Sequence, residues 1–166
     1  MIRLATPADA AGIADIWNPL IRNTTVTFNP VEKTLGEIAA LTQSPHGFFV
    51  WDEAGQILGF ARYFQFRAGA GNVRSAEHTI LLHPDGWGKG GGRKLMSALI
   101  DHATAAGMSC LIAGVSAEND AGLSFHAAMG FAKVGHVQSV GWKFDRFIDL
   151  VLMQKMLSPA AVARLD

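Results

Sequence analysis

Hydrophobic positions change period several times along the chain, and each change marks an element. Ile13, Ile16, Trp17, Leu20 and Ile21 recur at helical spacing behind Thr6-Pro7-Ala8-Asp9, a start signal with an N-cap threonine and proline at the first helical position. Thr34 with Glu37 forms a capping-box pattern ahead of a second helix carrying Leu35, Ile38 and Leu41. Residues 48–51 and 57–66 read as two strands joined by Asp52-Glu53-Ala54-Gly55, a hairpin turn. Residues 23–30 and 67–75 are loops, and 76–82 is the next strand. Helical spacing returns in Leu95, Met96, Leu99, Ile100 and Ala103, predicting a helix over 90–106 that Gly107 ends. Residues 110–115 are continuously apolar, which suits a strand buried on both faces and parallel to its neighbour. A short helix over 119–129, ended by Gly130, precedes two final strands, 131–140 and 147–156; residues 2–4 form the first strand. The succession predicts an α/β fold with an antiparallel meander and a central βαβ crossover.

Length and composition narrow the picture. A chain of 166 residues, 49% hydrophobic and 17% charged, is expected to form one domain over 1–166. Fourteen basic residues balance fourteen acidic ones, so general nucleic-acid binding is not expected. No apolar run approaches the roughly 20 residues of a membrane span, and the N-terminus has no signal-peptide core. Cys110 is the only cysteine, which excludes an internal disulfide. The six histidines never fall into HxH or HExxH spacing, so no metal is expected. The expected location is cytoplasmic.

The chemistry concentrates in residues 77–96, EHTILLHPDGWGKGGGRKLM, where a strand runs into a glycine cluster that opens a helix. The first N–H groups of a helix lack internal partners and carry partial positive charge, and glycines let an anion approach the backbone. Three phosphate motifs compete. The segment lacks the GxxxxGK[ST] of a Walker A loop. Gly86 to Gly91 matches GxGxxG, but a dinucleotide fold places that loop after its first strand, whereas here 76 residues precede the segment. Residues 87–92, WGKGGG, fit the coenzyme A loop Gln/Arg-x-x-Gly-x-Gly/Ala with Trp87 in place of the first residue. With GVSAENDAGLSFHAAMGF (114–131), KFDRFIDLVLMQKML (143–157) and NTTVTF (23–28), the chain resembles the GNAT superfamily of N-acetyltransferases. Within it, the phosphinothricin and methionine sulfone (sulfoximine) acetyltransferase branch is the most similar.

That resemblance implies the GNAT fold: a mixed, mostly antiparallel sheet with helices on both faces. It implies a bulge in strand 77–82 and a splay from its parallel neighbour, with backbone groups of Ile80, Leu81 and Leu82 pairing the pantetheine arm of acetyl-CoA. It implies that Gly88, Lys89, Gly90, Gly91, Gly92 and Arg93 turn backbone N–H groups to the pyrophosphate. Trp87 then packs on the coenzyme or on the protein surface. Gly91, where relatives carry Ile, Leu or Val, is expected to make the loop costlier to order and to weaken coenzyme affinity, an effect that Gly91→Ile should reverse.

Acetyl transfer requires a neutral amine. An α-amino group of pKa near 8 loses roughly 1.4 kcal/mol to protonation at about pH 7, a lysine amine roughly 4.6, and a general base helps both. Glu77, at the start of the coenzyme strand, is the candidate base. Asn119 is a helix N-cap or, by resemblance, a pantetheine ligand. His126 is a candidate acid toward the thiolate, or else a coenzyme-lining or structural histidine. His78 points away from Glu77 in a regular strand and reads as structural. Cys110, inside an apolar strand, reads as an inert small hydrophobe rather than a nucleophile.

For the acceptor, Thr25, Thr27 and Phe28 resemble the branch's substrate loop. Arg67 and Arg74 are candidates to hold a carboxylate or phosphinate. The branch's arginine four residues before the glutamate is replaced here by Val73. Trp142, Phe144 and Phe147 belong either to the core or to the homodimer interface that the resemblance implies. The expectation is an acetyl-CoA-dependent N-acetyltransferase of a small amino acid or analogue, acting by direct attack in a ternary complex. The alternatives are another small amine or a protein N-terminus as acceptor, or a module that binds coenzyme A or a dinucleotide without turnover.

Overall fold

The structure is a computed structural model and describes residues 1–157. Strands β1 (Ile2–Leu4), β2 (Phe48–Glu53), β3 (Gln56–Gln65), β4 (Ser75–Leu82), β5 (Cys110–Ser116), β6 (Ala132–Lys143) and β7 (Arg146–Met156) form one sheet in the order β1-β2-β3-β4-β5-β7-β6. Helices α1 (Ala10–Asn23), α2 (Leu35–Thr42), α3 (Gly91–Ala105) and α4 (Asp120–Ala128) complete it. The β4–β5 pair is parallel and the other five described pairs are antiparallel, as the apolar run at 110–115 predicted for β5.

Alternation along the strands divides the core in two. Phe48, Val50, Phe60 and Leu81 face Ile13, Ile16, Trp17 and Ile21 of α1 and Ile38 of α2. Trp51, Ala61, Tyr63, Leu111 and Ala113 face Leu95, Met96, Leu99 and Ala103 of α3 on the other side. The Thr34–Glu37 box forms as expected: the Glu37 N–H donates to Thr34 Oγ1 at 3.2 Å and the Thr34 N–H to Glu37 Oε2 at 2.7 Å. At the first helix the opening turn, Pro7–Asp9, is 3₁₀, and Asp9 Oδ2 receives the Thr6 N–H at 2.8 Å. The 52–55 turn places Ala54 and Gly55 at φ +53° and +91°, the left-handed pair of a tight hairpin.

One irregularity creates the site. β4 and β5 pair only from Ser75↔Cys110 to His78↔Ala113. Beyond that, residues 79–82 keep their β3 partners, and residues 114–116 keep their β7 partners. The two strands diverge and leave a V-shaped gap. The expected bulge in β4 is absent: its register with β3 is unbroken from Gln65↔Ala76 to Gly59↔Leu82. Gly114, on the rim of the gap, is exposed, so β5 is not covered along its whole length as the apolar run predicted. β6 begins one residue later than expected and extends to Lys143, through a register shift between Val137 and Gly141 where Ser139 takes φ +54°.

Candidate functional site

A cavity of about 310 Å³ occupies the gap. Its floor and walls include Glu77, Thr79, Ile80 and Leu81 from β4, Gly114 and Ser116 from β5, and Asn119 and His126 from the α4 segment. Val26, Thr27 and Phe28 close it from the loop after α1. Seven candidate residues, Glu77, His126, Asn119, Ile80, Leu81, Thr27 and Phe28, are thereby brought into one cavity. Leu82 packs its side chain against Gly59 and Gly92 and contributes backbone at the gap's far end.

Residues 79–82 satisfy one strand edge through β3 and leave the edge facing the gap without a described strand partner. An extended amide chain can pair with such an edge as an added strand. The edge leads to the glycine cluster. Gly88 and Gly90 adopt φ +72° and +76°, which a side chain would strain, and Gly90 precedes the first residue of α3. The chemistry of a free strand edge beside a helix N-terminus fits a pantetheine-linked pyrophosphate.

Gly91 differs from the expectation. It is buried, and a Cβ built on it would stand 2.1 Å from two carbons of the Trp51 ring. Trp51 fills the space that a bulky side chain at this position would take. Gly91 is therefore a packed position rather than a loose one, and Gly91→Ile would clash instead of tightening the loop. Trp87 is 64% exposed and does not pack down on the protein. Lys89 and Arg93 project outward, Lys89 Nζ lying 3.6 Å from Glu53 and Arg93 Nη1 3.9 Å from Met129 Sδ.

Glu77 carries the only carboxylate among the described residues lining the cavity. Its Oε1 stands 3.2 Å from where a Cβ on Gly114 would be, so the missing side chain at 114 gives the carboxylate room. Burial pushes its pKa above the ordinary carboxylate value, because no cation or hydrogen-bond donor compensates the lost hydration. A carboxylate shifted in this sense is a stronger proton acceptor near neutral pH.

Asn119 is the N-cap of α4, its Oδ1 accepting the Gly122 N–H at 2.9 Å. Its Nδ2 occupies the space over Gly122, where a Cβ would lie 2.4 Å away. The cap leaves the amide on the cavity wall, so the two roles anticipated for Asn119 are compatible. His126 is 7% exposed, with Nδ1 2.7 Å from the Gly122 carbonyl and Nε2 3.0 Å from His78 Nε2. His78 faces away from Glu77, as its strand position predicted, and meets His126 there. Cys110 is buried and does not line the cavity.

The acceptor side departs most from expectation. Thr25 does not line the cavity; its hydroxyl donates to Glu118 Oε2 at 2.9 Å, and Glu118 is held by Arg146. Thr27 and Phe28 line it as expected, and Val26 joins them. The loop is fixed from below by Lys143, buried, whose Nζ donates to the carbonyls of Thr24 at 2.6 Å and Thr27 at 2.7 Å. Phe28 sits over Gly141, where a Cβ would be 2.6 Å from its ring. Neither Lys143 nor Gly141 was singled out in the sequence, since both act on the loop across more than a hundred residues.

Arg67 and Arg74 are both exposed, and neither lines the cavity. Arg74 immediately precedes β4, and its Nη1 is 3.7 Å from where a Cβ on Gly107 would be, at the end of α3. A cation on Glu77's side of the sheet, itself outside the cavity lining, is Arg62. It pairs across the sheet with Thr79, and its strand neighbour Phe64 pairs with Glu77. Its guanidinium lies over the Phe64 ring at 4.7 Å and has no carboxylate partner among the described residues. Burial pulls its pKa below the usual arginine value. The strand alternation at 57–66 could have flagged it, as a charged residue on the face that Phe60 and Phe64 define.

The Acetyltransferase (GNAT) family profile matches residues 13–131. The chain is 36% identical over 160 residues to the L-amino acid N-acyltransferase MnaT of Escherichia coli K12, covering 94% of this chain and 93% of that protein. It is 34% identical over 164 residues to the L-methionine sulfoximine/L-methionine sulfone acetyltransferase of Salmonella typhimurium, covering 96% of each. Among solved structures, yncA, a putative acetyltransferase from Salmonella typhimurium with its cofactor acetyl-CoA, superposes with a TM-score of 0.92 at 33% identity, covering 97% of this chain and 95% of that one.

Proposed function

The chain belongs to the acetyltransferase (GNAT) family, and we propose that it transfers the acetyl group of acetyl-CoA to the α-amino group of a small amino acid or amino-acid analogue. The observation that carries this reading is the meeting, in one cavity, of the free edge of residues 79–82 and the Glu77 carboxylate. The backbone of Ile80, Leu81 and Leu82 binds the pantetheine arm, Asn119 Nδ2 contacts it from the opposite wall, and the N–H groups of Gly88 to Arg93 take the pyrophosphate. Acetyl-CoA supplies the activated thioester. Glu77, its basicity raised by burial, takes the proton that the amine loses on attacking the thioester carbonyl, directly or through water.

The acceptor enters beneath Val26, Thr27 and Phe28. Its acidic group meets Arg62, a half-buried cation without a described carboxylate partner on Glu77's side of the sheet. Methionine sulfone, methionine sulfoximine and phosphinothricin share this demand: an α-amino group, a carboxylate and a short polar side chain. A second copy of the chain packs on the β6–β7 face, where Trp142 and Phe147 stack edge to face at 4.7 Å yet remain exposed, as does Phe144. Their exposure removes the alternative that they belong to the core of this chain. Sedimentation at rising concentration checks the dimer, and a species that stays monomeric counts against it. The proposed compartment is the cytoplasm, which cell fractionation checks.

The deciding experiment is thiol release from acetyl-CoA across a panel of L-amino acids, the three analogues, simple amines and peptides with free N-termini. Turnover concentrated on free amino acids or the analogues is the expected result. Turnover confined to peptides or simple amines would replace the acceptor, and coenzyme A binding without thiol release for any of them would replace the enzyme by a binding module.

A further inference from the structure

Two buried imidazoles face one another across the β4–α4 boundary, and their hydrogen-bond count does not close with two neutral rings. His126 Nδ1 is 2.7 Å from the Gly122 carbonyl, and His78 Nδ1 is 3.1 Å from the Ile112 carbonyl. A carbonyl oxygen only accepts, so each Nδ1 must carry a hydrogen to make its bond. The two Nε2 atoms then face each other at 3.0 Å, and one of them must donate. Three hydrogens are needed on four ring nitrogens, whereas two neutral imidazoles carry two. With only two, one of the three contacts opposes lone pair to lone pair.

We propose that His78 and His126 act as one unit that takes up a single shared proton, and that His78 is the positioning residue that makes His126 a proton carrier beside the reacting atoms. Two tendencies oppose each other in this unit. Burial disfavours the charge and pulls both imidazoles down, His78 to about 3. An unmade bond between buried polar atoms favours the third proton. The pair therefore titrates as a unit rather than as two rings. The Phe131 ring lies 5.3 Å from each imidazole and Phe125 stands edge-on to His126, so aromatic rings hold the two imidazoles against each other at the cavity wall.

The charged groups on the surrounding elements are few. β4 brings Glu77, α4 brings Asp120, α3 brings Arg93 beside Met129 Sδ, and β7 brings Lys155, whose Nζ donates to the Met129 carbonyl at 3.0 Å. Cys110 is the thiol of β5. Of these only Glu77 lines the same cavity as the pair.

The unit closes the proton balance of acetyl transfer. As the amine nitrogen bonds the carbonyl carbon, the carbon–sulfur bond breaks and its electron pair goes to sulfur. Glu77 takes the amine proton, and sulfur takes the proton shared by the histidines. The discharged pair, with lone pairs opposed, recovers a proton from Glu77 through cavity water, and both groups return to their starting state.

The protonation claim is independent of the catalytic reading and is read without substrate. In ¹⁵N-histidine NMR between about pH 6 and 8, three of the four ring nitrogens of His78 and His126 are expected to carry hydrogen at the lower end, and the one shared proton is lost as pH rises in a single step reported by both rings, leaving two. Two hydrogens throughout that range would overturn the proposal, even if the enzyme acetylates amino acids. The kinetic arm rests on the proposed activity. His78→Phe is expected to lower kcat about tenfold or more and to move its pH profile, with the KM for acetyl-CoA little changed and partial rescue in His78→Gln. An unchanged kcat and pH profile in a folded His78→Phe would overturn the positioning role. Should that variant fail to fold, the wild-type NMR count decides.

Discussion

The ring of Trp51 occupies the space that a side chain on Gly91 would need, with two ring carbons 2.1 Å from an ideal Cβ. Trp51 lies on β2 and Gly91 opens α3, so the contact seats the helix N-terminus against the sheet. The same ring approaches Gly86, where a Cβ would be 2.8 Å from it. One aromatic residue thus sets the position of both ends of the glycine cluster.

Gly91→Ile is expected to destabilise the protein by about 2 kcal/mol, as overpacking does, and Trp51→Ala by about 3–5 kcal/mol through the cavity it leaves. Because the two residues compete for one space, the double variant should cost less than the sum. Denaturant unfolding of the four proteins of this cycle measures the coupling, and simple additivity would contradict the contact.

Glu77→Gln should lower kcat by about a hundredfold or more if the carboxylate is the base. The same variant should gain stability relative to wild type as pH rises. The folded pKa of Glu77 is raised by burial, so its contribution is fully present below the unfolded carboxylate value and is lost as pH climbs through the folded one. Thermal unfolding from acid to neutral pH should show the variant drawing ahead, and a constant difference would mean that the carboxylate is not desolvated. The acid limb of the wild-type kcat/KM profile should lie above the ordinary carboxylate range for the same reason.

Arg62→Met should raise the KM for carboxylate-bearing acceptors by about tenfold or more, the loss of a charged hydrogen bond, and should alter decarboxylated analogues far less. Arg74→Met, near the end of α3, should alter neither. Steady-state kinetics with paired acceptors tests this. Equal losses for acceptors with and without a carboxylate would remove Arg62 from recognition.

Lys143→Met frees the carbonyls of Thr24 and Thr27 and should cost about 1–3 kcal/mol of stability. Since those carbonyls hold the loop that carries Phe28 over the cavity, the acceptor KM should rise more than the acetyl-CoA KM. A variant that loses stability but keeps both constants would show that the loop is held by Phe28 packing on Gly141 alone.

Local signals were readable wherever the chain's near neighbours decide the outcome. Thr34 and Glu37 are three residues apart and form their cap as written. Gly107 and Gly130 end their helices at φ +77° and +85°, as single-residue conformational preferences require. The glycine cluster and Glu77 lie within one strand–loop–helix unit, so their joint placement followed from the pattern. The acceptor side was illegible for the converse reason: Thr25 is engaged by Glu118, Phe28 by Gly141 and the loop backbone by Lys143, all across more than ninety residues.

By itself the sequence determined the element order, the parallel strand, the family resemblance and the strand–glycine–helix unit on which the cofactor proposal rests, because periodicity, capping and glycine placement act within a few residues. Only the tertiary structure decided that β4 parts from β5 after His78 without a bulge, that Trp51 takes the room left by Gly91, that Arg62 shares Glu77's side of the sheet, and that His78 meets His126. Each of these is an exclusion or pairing between surfaces distant in the chain, and such contacts exist only once the sheet has fixed which residues compete for the same space.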